Sequence, residues 1–291
     1  MKFHGLIKVI IFLLIDYFVI YNLLGFCGSI VIIIAILIYA FCGEYIELFK
    51  IGAIDLNDLP KYDKDRLIQI QNHLSKEVKD TLDYDITNMK LHVIPSDEIN
   101  AFCYGIKNIA ITRAAYDTCD DMMLYSVLMH EISHMIYFDT IVKRIAFANI
   151  TLIFFMLTVY LLISSFFLWI IFIILCLFGL CKGFVSYLIF NGIRHVIKGV
   201  FTTFQYIILF IYNAIMAMVS RSSEYRADKL SWTLGYGDEL SYFLQHFQNN
   251  QNLNNQTILD IIYASHPPTS KRIMRLENYD KEKLAVSNLK R

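Results

Sequence analysis

The chain has 291 residues, 56% of them apolar and only 18% charged, and its 26 Lys and Arg balance 26 Asp and Glu. That apolar share exceeds what soluble domains carry. Zero net charge with no basic stripe excludes a nucleic-acid partner.

The excess hydrophobicity is gathered in blocks. Residues 6–24 and 26–42 are two stretches near the length that spans roughly 30 Å of hydrocarbon, parted by a short turn at Gly25. Lys2 and Lys8 give a positive start, but no small-x-small cleavage pattern closes the first block. A retained two-span hairpin is therefore expected rather than a removed signal. Lys2, His4 and Lys8 point to a cytoplasmic N-terminus, and the hairpin returns the following residues to that side. Asp16 inside the first block reads as a polar contact within a helix bundle. The six cysteines show no disulfide-framework spacing, which fits a reducing compartment.

A polar stretch follows over 50–144. Leu67, Ile70, Leu74, Val78 and Leu82 recur at helical spacing and predict an amphipathic helix over 64–82. KLHVI (90–94) and IAIT (109–112) are short and β-branched and read as strands, with NAFCYG (100–105) a third. A helix is expected from Thr118 or Asp120, with Asp120 and Asp121 favourable in its first turn, running through LMHEISHMIYFD (128–139).

Residues 145–181 form an apolar run without charge, and 200–219 form another. A second polar region at 220–291 holds a helix with EYRAD and one around 238–248 with Leu240, Phe243, Leu244 and Phe247 on one face. A loop is expected at 249–256, then a Pro-Pro break before a short helix within 265–276. The expected organisation is thus a transmembrane hairpin (1–44), a first polar segment (45–144), a membrane region (145–219) and a second polar segment (220–291). If the two polar segments build one site, an even number of crossings separates them. The simplest path is one span within 145–181, a connection over 182–199 and a return at 200–219. The alternative breaks the first run at Ser164-Ser165 and lays 184–219 along the membrane.

The chemistry sits in HEISH. Residues four apart on a helix share a face, so His130 and His134 can direct ring nitrogens at one metal ion. Glu131 beside them is placed to take a proton from activated water. Catalytic zinc needs a third protein ligand. SSEYRAD supplies a candidate in Glu224, completing a His₂Glu set, and Asp228 is placed to accept a hydrogen bond from a ligand histidine. Alone, Glu224 and Asp228 read as a solvated helix face with Arg221 and Arg226. The histidine motif reverses that reading.

INAFCYG (99–105), IAITRAAYD (109–117), HEISHMIYFD (130–139), SRSSEYRAD (220–228) and SHPPTSKRI (265–273) occur in one order. In this the chain resembles HtpX-type membrane zinc metalloproteases, relatives of the CAAX prenyl proteases. The resemblance implies an α-helical integral membrane protein with an α+β zincin-like domain, whose zinc-binding helices extend from membrane spans. It implies one zinc per chain on His130, His134 and Glu224, with Glu131 as general base and Asp228 behind the ligands. It implies that Asn100, Ala101 and Phe102 lie on an edge strand that binds extended peptide by β-addition. His266 and Arg272 match a pair near the site, with a role at the oxyanion or the site wall. Asp139 matches the family pattern and is expected to order the end of the zinc helix. The expected function is zinc-dependent endopeptidase activity on extended protein or peptide substrates, at a bilayer, in membrane-protein quality control. The expected location is a bacterial cytoplasmic membrane with the site facing the cytoplasm. A dedicated maturation protease for a peptide or prenylated protein is the alternative, and a non-catalytic scaffold a third.

Overall fold

The computed structural model describes residues 2–181, 183–247 and 267–289. The chain divides into two compact units, Met1–Ala146 with Ala217–Arg291, and Phe147–Met216.

In the first unit, helix α1 (Lys2–Lys50) is two helical arms joined at Gly25, whose φ of 69° breaks the helix. The ends of both arms distant from Gly25 reach the same place. Lys8 Nζ lies 3.8 Å from Asp139, and Arg144 binds the Ala40 carbonyl and Glu47. The arms therefore fold back on one another.

A four-stranded sheet follows, in the order β1-β2-β4-β3. Its strands are β1 (Ile54–Asp55), β2 (Lys90–Ile94), β3 (Ala101–Tyr104) and β4 (Asn108–Thr112). β2 and β4 are parallel, and β3 runs antiparallel to β4 along the edge. β4 is buried along its whole length, as a central apolar strand should be. Helix α2 (Lys61–Leu82) buries Leu67, Ile70, Leu74 and Val78, as its spacing predicts, and ends at left-handed Asp83. These side chains share a core with Leu91, Val93, Ile109 and Ile111 of the sheet and with Leu128 and Ile132 of helix α4 (Asp121–Ile136). Leu48 at the end of α1 joins Ile94 and Ala110 in a separate cluster, against which Phe102 and Tyr104 pack.

A short helix α3 (Arg113–Thr118) precedes α4, so the expected single start resolves into two helices. Asp120 caps α4 by accepting the Met123 N–H at 2.8 Å. α4 does not run on into the apolar segment. It stops at Ile136, Phe138 takes φ +59°, and helix α5 (Asp139–Leu177) starts afresh. Of the two helices expected to extend from spans, α6 (Phe184–Thr233) continues unbroken, while α4 joins α5 through this turn.

The second unit is helical. α5 is continuous through Ser164-Ser165, and residues 182–199 are not the connection. α5 instead ends at Leu177 and the next helix starts at Phe184, with Gly179 and Gly183 at positive φ. Within the helix that follows, the Arg194 guanidinium lies 5.1 Å over the Trp169 ring and 5.8 Å over Phe190. Among the described residues, three helices are long and apolar enough to cross a membrane: Gly25–Lys50, Asp139–Leu177 and Phe184–Thr233.

Helix α7 (Gly237–Phe247) buries Leu240, Phe243 and Leu244. Helix α8 (Thr269–Leu289) is longer than the short helix expected after Pro268, because the chain finds no further breaker before its end. The expected loop at 249–256 lies outside the described residues, as does the Asp16 side chain.

Candidate metal centre

His130 and His134 stand one turn apart on α4, their rings nearly perpendicular with centroids 4.9 Å apart. Glu224, on α6, is 2% exposed and faces both. The two Nε2 atoms are 3.2 Å apart, and Glu224 Oε2 and Oε1 lie 3.4 and 3.5 Å from His130 and His134 respectively. One donor atom from each of the three falls within 4.8 Å of the others. Two donors held tetrahedrally at about 2.05 Å from an ion are roughly 3.3 Å apart, so the spacing fits a small divalent cation.

Each ring is turned by a carboxylate. His130 Nδ1 is 3.0 Å from Asp228, and His134 Nδ1 is 3.0 Å from Asp139. Carboxylates on Nδ1 leave Nε2 free for a metal. Both are clasped from behind. Arg272, 4% exposed, forks onto Asp228 at 2.9 and 2.6 Å. Arg226 meets Asp139 at 2.5 Å and stacks 4.2 Å over Tyr137. So much negative charge holds protons on the rings when no cation neutralises it. Burial alone would push His134 down, but the Asp139 and Glu224 carboxylates outweigh it and raise it to about 9. His130 is raised too, with burial overcome by Asp228 and Glu224.

The centre opens on a cavity of about 670 Å³. Glu131 faces it, and among the described residues no hydrogen bond or ion pair holds its carboxylate. Val127, Leu240, Phe243, Leu244 and Phe247 give it an apolar lining, and residues 99–103 line it as well. The edge of β3 can be read atom by atom. The Thr112 N–H donates to the Asn100 carbonyl at 3.0 Å, so residues 100, 102 and 104 turn their polar groups toward β4. Ala101 and Cys103 turn theirs outward. The Ala101 N–H is taken by Asn100 Oδ1 at 2.9 Å, and the Cys103 carbonyl accepts Thr140 Oγ1 at 3.3 Å. Among the described residues, the Ala101 carbonyl and the Cys103 N–H have no hydrogen-bond partner.

All the residues singled out in the sequence surround this one cavity except His266, which lies outside the described residues. Asn100, Ala101, Phe102, Glu131, Glu224 and Arg272 line it directly, and Asp228 stands behind His130. Asp139 does more than order a helix end, since it is the partner of His134. Arg226 is not part of a solvated face. The apolar side of α7 is the one its spacing predicts, but its place in the cavity wall and the bond from Thr140 to Cys103 are features that spacing alone does not expose.

Residues 65–280 match the profile of peptidase family M48. The chain belongs to peptidase family M48. Membership of a peptidase family and helices of membrane-spanning length and composition thus occur in the same chain. No curated protein matches the M48 chain. The crystal structure of S. mikatae Ste24p is similar at 18% identity with a TM-score of 0.47, over 94% of this chain and 62% of that one. The M48 chain thus spans less than two thirds of that protein's length.

Proposed function

We propose that this M48 chain is a zinc-dependent endopeptidase that cleaves extended segments of protein at the cytoplasmic face of a bacterial membrane. The observation that carries the proposal is the convergence of two histidines and a glutamate, spaced for tetrahedral coordination, beside Glu131 on an open cavity.

His130, His134 and Glu224 would hold the zinc, with Asp228 and Asp139 fixing the two rings. Zinc, when bound, supplies the Lewis acidity that polarises a peptide carbonyl and makes water nucleophilic near neutral pH. Glu131 accepts the proton of the attacking water and returns it to the leaving amine, so no covalent enzyme adduct is needed. The Ala101 carbonyl and Cys103 N–H bind the substrate backbone as an added strand. Arg272 serves the site wall, because its fork is committed to Asp228. His266 remains the candidate for the oxyanion.

The cytoplasmic orientation rests on Lys2, His4 and Lys8 and on an even number of crossings between the polar segments. Recognition through backbone groups favours broad substrate choice, which suits quality control of membrane proteins better than maturation of one precursor. The test is Glu131→Gln. Loss of self-cleavage and of model-substrate cleavage with zinc retained is expected, and full activity in that variant would sink the mechanism.

A further inference from the structure

The edge strand is tied to the N-terminal membrane helix by a buried carboxylate. Glu44 of α1 is 3% exposed, and its Oε2 accepts the Ile106 N–H at 3.3 Å in the turn joining β3 to β4. The Asn108 side chain lies beside it and takes a 3.0 Å contact from His92 on β2. Gly105, at φ +76°, makes room, since a Cβ there would overlap the Glu44 carboxylate. Three residues on, Glu47 receives Arg144 of α5 at 3.2 and 2.5 Å, while Arg144 also donates to the Ala40 carbonyl at 3.2 Å. Thr140, one turn before Arg144 on α5, holds the Cys103 carbonyl. The strand and its turn are therefore gripped from two helices.

A membrane tether needs no buried carboxylate. An apolar side chain would pack at this position without the desolvation cost that Glu44 carries. What an apolar residue cannot do is accept a backbone N–H and so fix where the turn sits.

We propose that Glu44 is a positioning residue for substrate. It locks the β3–β4 turn to α1, so that the Ala101 carbonyl and Cys103 N–H stand at a fixed place beside the histidines. The N-terminal membrane segment is then part of the substrate-binding apparatus rather than an anchor alone. This rests on the reading of β3 as the substrate-binding edge, and the experiment separates the two.

The full chain, zinc-loaded in detergent, is compared with Glu44→Ala and Glu44→Gln on three substrates. One is a long peptide that can pair along β3, the second its analogue N-methylated at successive amides, the third a blocked peptide too short to reach the strand. Glu44→Ala is expected to raise KM for the long peptide about tenfold with kcat little changed, the signature of lost binding shared by ground and transition states. Zinc content and short-peptide kcat/KM stay at wild-type values, and amide exchange over 101–108 quickens. Glu44→Gln, whose amide oxygen still accepts the Ile106 N–H, restores most of the KM. Wild-type KM in Glu44→Ala, with N-methylation still weakening the long peptide, refutes the clamp and leaves the edge reading standing. N-methylation without effect at any amide refutes the edge reading and the clamp with it. Loss of zinc or of short-peptide cleavage in both variants marks Glu44 as a general folding residue and overturns the proposal.

Discussion

Replacing Asp139 tests how the two histidines are held. Its carboxylate meets His134 Nδ1 at 3.0 Å and Arg226 at 2.5 Å, with Lys8 at 3.8 Å, and its side chain is 5% exposed. Asp139→Asn keeps an acceptor for the ring N–H but removes the charge, and about tenfold weaker zinc binding is expected, near 1.4 kcal/mol. Asp139→Ala also removes the acceptor, in a place water reaches poorly, and the loss approaches about a hundredfold. Chelator competition with fluorescence or metal analysis reads both. At saturating zinc Asp139→Asn should regain most of its kcat, because Glu131 and Glu224 are untouched. The parallel change at Asp228 separates orientation from stability. Its arginine, Arg272, has a side chain 5% exposed, whereas that of Arg226 is 27% exposed. Asp228→Ala therefore strands a buried charge and should cost about 3–5 kcal/mol in unfolding as well as zinc affinity. Asp139→Ala should cost less, since Arg226 can turn to solvent. Wild-type zinc affinity in Asp139→Ala, or equal melting losses in the two alanine variants, would refute the reasoning.

Arg272→Lys should behave much like Arg272→Ala in thermal melting, because a single ammonium cannot reproduce the fork on Asp228. Phe138→Gly should leave zinc content unchanged and raise stability by up to about 1 kcal/mol, since glycine accepts φ +59° without cost. Phe138→Pro, confined to negative φ, should pull Asp139 from His134 and lower zinc occupancy in metal analysis. Comparative proteomics of a strain carrying Glu131→Gln should show many stabilised membrane proteins. A single accumulating precursor would favour the maturation reading.

The residues legible in the sequence were those whose chemistry repeats along one helix. His130 with His134, and Glu224 with Asp228, are each four apart, so local spacing carries the pattern. α2 was legible because burial on one face imposes its own period, and β2 and β4 because they are short β-branched runs bounded by turn residues. Asp139 was visible only as a helix-end residue, since its role depends on a helix break at Phe138 that neither glycine nor proline announces. Arg226 looked like a surface charge because its partner, 87 residues away, is tertiary. A connection was expected over 182–199 from the parity of crossings, whereas helix α6 starts at Phe184 and runs through Arg194, whose guanidinium stacks on Trp169. Nothing local marks Glu44, whose meaning comes from a missing Cβ at Gly105.

The turn at Phe138 links membrane entry to metal geometry. Five residues along an unbroken helix turn roughly 140° beyond a full circle, which would put Asp139 far around the axis from His134. A continuous α4–α5 helix would also carry the carboxylate away along the axis by about 7.5 Å. The reversal brings the first residue of α5 back onto the ring it would otherwise leave. A bulky residue at positive φ costs on the order of 1–2 kcal/mol, and the bonds from Asp139 to His134 and Arg226 offset that cost. On the other side Glu224 and Asp228 need no such device, because α6 runs straight from its apolar stretch into the site. The ligand set is thus fixed by where two apolar helices begin and end.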